Sequence, residues 1–69
     1  MEKRETGTVK FYNKDKGFGF ITPDYGKDIF VHHSGLLEAR WLNEGDRVEY
    51  KLVQGKKGLQ AEDVTVLTE

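Results

Sequence analysis

Two short segments of the chain decide its fold: KGFGFI at residues 16–21 and DIFVH at residues 28–32. In both, aromatic rings alternate with glycine or aliphatic residues, and successive side chains of a β-strand point to opposite faces. The pattern predicts two strands whose β-branched side chains, Ile21, Ile29 and Val31, point inward. The opposite face then carries four rings, which we call the aromatic face: Phe18, Phe20, Phe30 and His32.

Two other interpretations of these segments have to be weighed. An inverted assignment would bury the rings and expose the aliphatic side chains, which is disfavoured because three β-branched residues would then face water. Residues 17–19, Gly-Phe-Gly, also resemble half of a dinucleotide-binding fingerprint, but no helix pattern or βαβ unit follows them. An exposed patch of rings usually marks a binding surface. Because every nucleobase has a π-face, rings of this kind suit base stacking, and lysines at the rim can reach phosphates.

Outside these segments, short apolar runs and glycine-containing turns continue along the chain. They predict a meander with one long connection, in which residues 34–38 form a short helical turn. They also predict an irregularity in the last strand, between Ala61 and Val64. The expected strands span about residues 7–13, 18–22, 28–32, 46–53 and 59–67. Five strands of this kind suggest a small, partly open all-β barrel.

Length and composition favour a single soluble domain. The 69 residues are 36% hydrophobic and 33% charged, with no cysteine and no apolar run long enough to span a membrane. We expect a charged tail over residues 1–5, one domain over residues 6–69, and a cytoplasmic location.

Net charge gives a mixed signal. The formal charge is −1 and the isoelectric point is about 6.1, whereas nucleic-acid binders are usually basic. Several lysines nevertheless flank aromatic or glycine positions, namely Lys10, Lys14, Lys16, Lys56 and Lys57. Either these lysines form a locally positive face, or the surface is evenly mixed and solvated.

The combination of motifs resembles the bacterial cold-shock proteins. The resemblance lies in VKFYN at residues 9–13, KGFGFI, DIFVH and GLQA at residues 58–61, and it covers nearly the whole chain. The second and third segments are similar to that family's two RNA-binding motifs. The resemblance implies a five-stranded antiparallel oligonucleotide-binding barrel (OB-fold). It also implies binding of single-stranded RNA and DNA, with a role as an RNA chaperone and regulator of transcription or translation in cold or other stress.

The resemblance also implies roles for particular residues. The aromatic face would stack on bases, and Phe11 and Tyr12 would extend it. Four further side chains would lie near the bound strand: Lys10, Lys16, Asp28 and Lys57.

The sequence departs from the family pattern in three places. Phe11 and Tyr12 stand where the family usually has Trp followed by Phe. Strict alternation would put Phe11 inside the barrel, whereas the resemblance puts it on the rim of the binding face. The second placement requires a bulge or a strand end. His33 stands where the family usually has Phe, and it could still stack while adding a titratable imidazole group. Trp41 lies in a loop that is shorter than usual, where it either replaces the family's loop ring or caps one end of the barrel.

Other classes of function find little support in the residues. His32 and His33 are adjacent on a strand and lack a third ligand, so we expect no metal and no cofactor. No nucleophile, base and orienting group form a set, so we expect no enzymatic activity and no small-molecule substrate. We expect a monomer that binds single-stranded RNA and DNA. The alternative is a protein-interaction barrel that docks a peptide or a partner subunit through the same rings.

Overall fold

The computed structural model describes residues 4–37, 39–55 and 58–67 and contains five strands and one 3₁₀ turn. The elements are β1 (Arg4–Asn13), β2 (Phe18–Pro23), β3 (Ile29–His32), the 3₁₀ turn (His33–Gly35), β4 (Arg47–Gly55) and β5 (Gly58–Val66). All five predicted strands are confirmed. β1 begins at Arg4 rather than near Gly7, and the predicted helical turn lies one residue earlier than expected. Residues 1–3 of the predicted tail and the middle of the predicted hairpin turn at residues 56–57 lie outside the described residues.

The strands form a closed barrel in the order β1-β2-β3-β5-β4. The barrel is closed rather than partly open because β1 is long enough to pair with two neighbours: with β2 from Gly7 to Asn13 and with β4 from Arg4 to Thr8. The described strand pairs are antiparallel, as predicted, apart from β3 and β5. Those two run parallel through two residue pairs, because the long connection after β3 returns the chain across the barrel.

A bulge in β1 reverses the direction of its side chains. Val9 pairs with Ile21 and Phe11 pairs with Phe20, which leaves Lys10 as an extra residue. An extra residue shifts the alternation of a strand by one position. Consequently Val9 is buried, and both Lys10 and Phe11 are exposed.

The core is filled mainly by aliphatic side chains from every strand. Its buried members are Val9, Ile21, Ile29, Val31, Leu42, Val48, Tyr50, Ala61 and Val64. The predicted irregularity in β5 is confirmed: Tyr50 on β4 lies opposite both Asp63 and Val64, and Asp63 adopts a positive φ of 52°. Within the described residues, no helix has the length and apolar character needed to cross a membrane.

Candidate nucleic-acid interface

The aromatic face lies on the outside of β2 and β3, as the alternation predicts. Phe18 is directly opposite His32, and Phe20 is opposite Phe30. The ring centroids of Phe18 and Phe30 are 6.1 Å apart, and those of Phe20 and Phe30 are 5.8 Å apart. The inverted assignment is excluded because the predicted inward residues of both strands are buried.

The four rings line a shallow groove. Together with Lys16 they enclose a volume of about 360 Å³. All four rings are half-buried: they pack on one another, and part of each surface remains open to a ligand. Neighbouring rings about 6 Å apart form a continuous platform rather than isolated contacts.

Phe11 extends the aromatic face at its β1 side. Its ring is 39% exposed, and its centroid is 5.6 Å from that of Phe20. The bulge at Lys10 is the physical reason, because it turns Phe11 outward instead of leaving it inside with Val9. Of the two placements considered for Phe11, inside the barrel or on the rim of the aromatic face, the structure shows the rim.

The placement expected for Tyr12 is wrong. The bulge that turns Phe11 outward turns Tyr12 inward, where its ring packs against the core. Its hydroxyl is buried and lacks a hydrogen-bond partner among the described residues, and burial raises the pKa of this phenol. The partly buried Tyr12 ring is therefore directed toward the core and does not extend the aromatic face beside Phe11.

Gly19 allows the two strands to come together at this point. A Cβ on Gly19 would lie 2.7 Å from the Tyr12 Cα and would also meet the carbonyl oxygen of Phe11. These are backbone atoms, which cannot move without shifting β1. The glycine between the two rings of β2 thus fixes how closely β1, and with it Phe11, approaches the aromatic face.

An ion pair closes one end of the face. The Lys10 Nζ lies 2.8 Å from the Asp28 Oδ2, and the Thr22 hydroxyl donates to the other carboxylate oxygen at 3.2 Å. The hydrogen bond from Lys10 is the main cause of the lowered pKa of Asp28. The pair is exposed, so both groups remain available to a ligand.

At the other end, the turn between β1 and β2 is fixed by hydrogen bonds. The Asn13 side chain accepts from the backbone N–H groups of Asp15 and Lys16, at 3.0 and 2.9 Å. Lys16 is exposed beside the groove and forms no ion pair with any described residue. His33 is also exposed, and its ring centroid lies 4.2 Å from that of His32.

Trp41 does not cap the barrel. Its side chain is 45% exposed, and the next residue, Leu42, occupies the core instead. The Lys14 Nζ lies 5.3 Å from the centroid of the Trp41 ring, which is within range of a cation–π contact. Trp41 is therefore a surface ring beside the turn between β1 and β2.

Lys57, the remaining predicted contact, lies outside the described residues. Within the part of the chain that is described, no group of three or more potential ligands is arranged to hold a metal ion.

The sequence interpretation missed Gln60. It pairs with Phe30 across the parallel β3–β5 ladder, and its Nε2 donates to the Glu62 carboxylate at 2.8 Å. Because Ala61 is buried, alternation turns Gln60 outward, next to the rings. Alternation within GLQA could have indicated that Gln60 points outward. The sequence spacing gave no indication that β5 would lie parallel to β3 and so place Gln60 beside Phe30.

The fold and the exposed rings define a class. A closed five-stranded barrel with a contiguous aromatic surface beside unpaired lysine is the arrangement of OB-fold domains that bind single-stranded nucleic acids.

Comparison with known proteins gives the family. Residues 5–67 match the family described as 'Cold-shock' DNA-binding domain. The cold shock-like protein CspG of Escherichia coli K12 is 50% identical over 70 residues, covering 97% of this chain and 100% of that protein. The cold shock protein CapB of Pseudomonas syringae pv. tomato is 48% identical over 69 residues, with coverage of 97% and 100%. The chain belongs to the cold-shock domain family, whose members bind single-stranded nucleic acids.

A solved structure agrees with the fold. The Drosophila protein described as Unr CSD456 superimposes with a TM-score of 0.80 at 30% identity, covering 97% of this chain. The match spans 28% of that longer chain.

Proposed function

We propose that the protein binds single-stranded RNA and DNA by stacking successive bases on the aromatic face and Phe11. The observation that carries this proposal is the continuous platform of outward-facing rings with Lys16 at its rim. Each stacked base contributes about 1 to 3 kcal/mol with little dependence on its identity. The resulting activity is that of an RNA chaperone and a regulator of transcription or translation under cold or other stress.

The geometry supports a preference for single strands over duplexes. A base that is still paired and stacked in a helix cannot lie flat on a protein ring. Binding therefore competes with base pairing and opens transient hairpins without ATP. The platform needs no bond-making groups for this, so the proposed activity is binding alone, by a cytoplasmic monomer.

Rim side chains supply the contacts to the backbone and the strand ends. Lys16 lies beside the groove without an acidic partner among the described residues, and Lys10 can exchange Asp28 for a phosphate. Trp41 offers a further ring near the turn between β1 and β2. With so few cations, the affinity should fall only gently with salt, by about 0.7 in logarithmic slope for each phosphate contact.

The comparisons give no support to the alternative, a barrel that docks a peptide through the same rings.

The proposal is tested by removing one ring at the centre of the platform. Phe30→Ala should weaken binding to a fluorescein-labelled oligothymidine by about 5- to 150-fold, measured by anisotropy, because one stacked base is lost. Tyr25→Ala is the matched control: it removes a ring that is 90% exposed on the turn after β2, away from the groove. The control should bind like the wild type.

A loss of binding has to be distinguished from a loss of folding. Circular dichroism must first establish that both variants are folded. A folded Phe30→Ala variant with unchanged affinity would refute stacking on the aromatic face. Chaperone activity is measured separately, as opening of a fluorophore–quencher RNA hairpin without ATP, and should fall in parallel with affinity.

A further inference from the structure

Two imidazole rings meet at the end of the groove where the chain leaves β3. His33 begins the 3₁₀ turn, and its backbone N–H donates to the Gly17 carbonyl oxygen at 2.8 Å. The His33 ring lies against Gly17 so closely that a Cβ there would come within 2.5 Å of its Cδ2. Gly17 follows Lys16, which lines the groove with His32. These contacts hold the exposed His33 ring beside the groove rather than free in solvent.

We propose that protonated His33 and Lys16 together bind a backbone phosphate, so that the affinity for single-stranded nucleic acid rises as the pH falls. This inference rests on the proposed function and adds proton-linked regulation of the same site. A neutral imidazole in this position can only stack or donate one weak contact. The imidazolium gains a charge that an adjacent phosphate stabilises.

Hydrogen bonding distinguishes the two rings. The Nδ1 of His32 accepts from the Ser34 backbone N–H at 3.3 Å and lies 2.9 Å from the Ser34 hydroxyl oxygen. The Nδ1 of His32 is therefore already engaged by Ser34. The His33 side chain makes no hydrogen bond to any described residue, so its ring nitrogens are open to a ligand.

Charged and titratable groups lie on three elements around the 3₁₀ turn. Lys14, Asp15 and Lys16 lie on the turn between β1 and β2, His32 lies on β3, and Glu62 lies on β5. The Glu62 carboxylate lies near Gly35 and accepts a hydrogen bond from Gln60. A bound phosphate adds negative charge on the Lys16 side and favours the imidazolium form of His33, so binding is accompanied by proton uptake.

The test is the pH profile of binding. We use an oligothymidine without a terminal phosphate, because thymine does not titrate between mildly acidic and neutral pH. Between about pH 7.5 and pH 5.5, the wild type should bind about 3- to 10-fold more tightly at the lower pH, since uptake of one proton changes affinity by at most about tenfold per pH unit. His33→Phe keeps a stacking ring and should give a flat profile. His33→Gln should be flat as well and serves if the phenylalanine variant does not fold.

Salt dependence provides a second readout that stacking alone would not change. An additional phosphate contact should steepen the logarithmic salt slope of the wild type by about 0.7 at the lower pH. In the His33 variants the slope should be the same at both pH values. This measurement separates a phosphate contact from a general effect of acid on the platform.

Each possible outcome supports or overturns the inference. A flat wild-type profile with good binding overturns it and leaves the proposed function standing. An equal pH dependence in the wild type and the His33 variants assigns the proton to another group and also overturns it. If the wild type fails to bind at any pH, the proposed function fails and the inference fails with it.

Discussion

Replacing Gly19 by alanine tests how the backbone of the barrel positions the rings. The added methyl would lie 2.7 Å from the Tyr12 Cα and 2.9 Å from its Cδ1, and it would also meet the Phe11 carbonyl oxygen. Carbon atoms in contact are ordinarily about 3.5 to 4.0 Å apart. Gly19→Ala therefore forces β1 and β2 apart by about 1 Å at the pair formed by Tyr12 and Gly19.

The size of the effect follows from this displacement. Inserting a methyl into a packed site typically costs about 1 to 3 kcal/mol. For a domain of this length, each kcal/mol lowers the melting temperature by about 4 to 8 °C. We expect Gly19→Ala to melt roughly 5 to 20 °C below the wild type. Because Phe11 moves away from Phe20, the folded variant should also bind oligothymidine more weakly, by up to the contribution of one ring.

Thermal denaturation followed by circular dichroism measures the first effect, and anisotropy below the transition measures the second. The double variant with Tyr12→Ala is the decisive control. It removes the Cδ1 contact but leaves the two backbone atoms in place, so it should not restore the stability lost in Gly19→Ala. A Gly19→Ala variant that melts with the wild type, or a full rescue by truncating Tyr12, would refute the proposed backbone constraint.

Two further changes test the core and the loops. Tyr50→Phe should raise the melting temperature by about 4 to 8 °C, as about 1 kcal/mol is gained when a fully buried hydroxyl without a partner among the described residues is removed; a lower melting temperature would contradict this. Asp24 is held by two hydrogen bonds from Arg47 and one from Thr6, which lower its pKa from 3.8 to about 2. The stabilising contribution of the Asp24 carboxylate is present above about pH 4 and is lost as the pH falls toward 2. The melting temperature of Asp24→Asn should therefore change less over that pH range than the melting temperature of the wild type. Parallel profiles of the two proteins would argue against this.

Strict alternation is what made β2 and β3 predictable from sequence. Aliphatic and aromatic side chains take alternate positions there without interruption, so a single choice of faces places all of them. In β4 apolar residues also take alternate positions, and two of them, Val48 and Tyr50, are fully buried. Where local pattern and burial agree, the sequence alone determines the face.

β1 shows why the remainder could not be predicted. The bulge at Lys10 leaves no mark in composition, because it depends on how β1 is shared between β2 and β4. One extra residue was enough to exchange the expected positions of Phe11 and Tyr12 relative to the alternation. Similarly, Trp41 and Leu42 are both large and apolar, and only the path of the long connection decides which of them enters the core.

The net charge of −1 is compatible with binding a polyanion because of how the charges are paired. On β4 and its neighbours, positive side chains are matched by acids: Arg4 with Glu49, Arg47 with Asp24, and Lys51 with Asp63. Such pairs cancel over short distances in physiological salt, where charges are screened beyond about 8 Å. Beside the groove, Lys16 has no such partner among the described residues, so its positive charge remains available to a phosphate although the sum over the chain is negative. Affinity then rests mainly on the rings, and the few cations orient the strand on them.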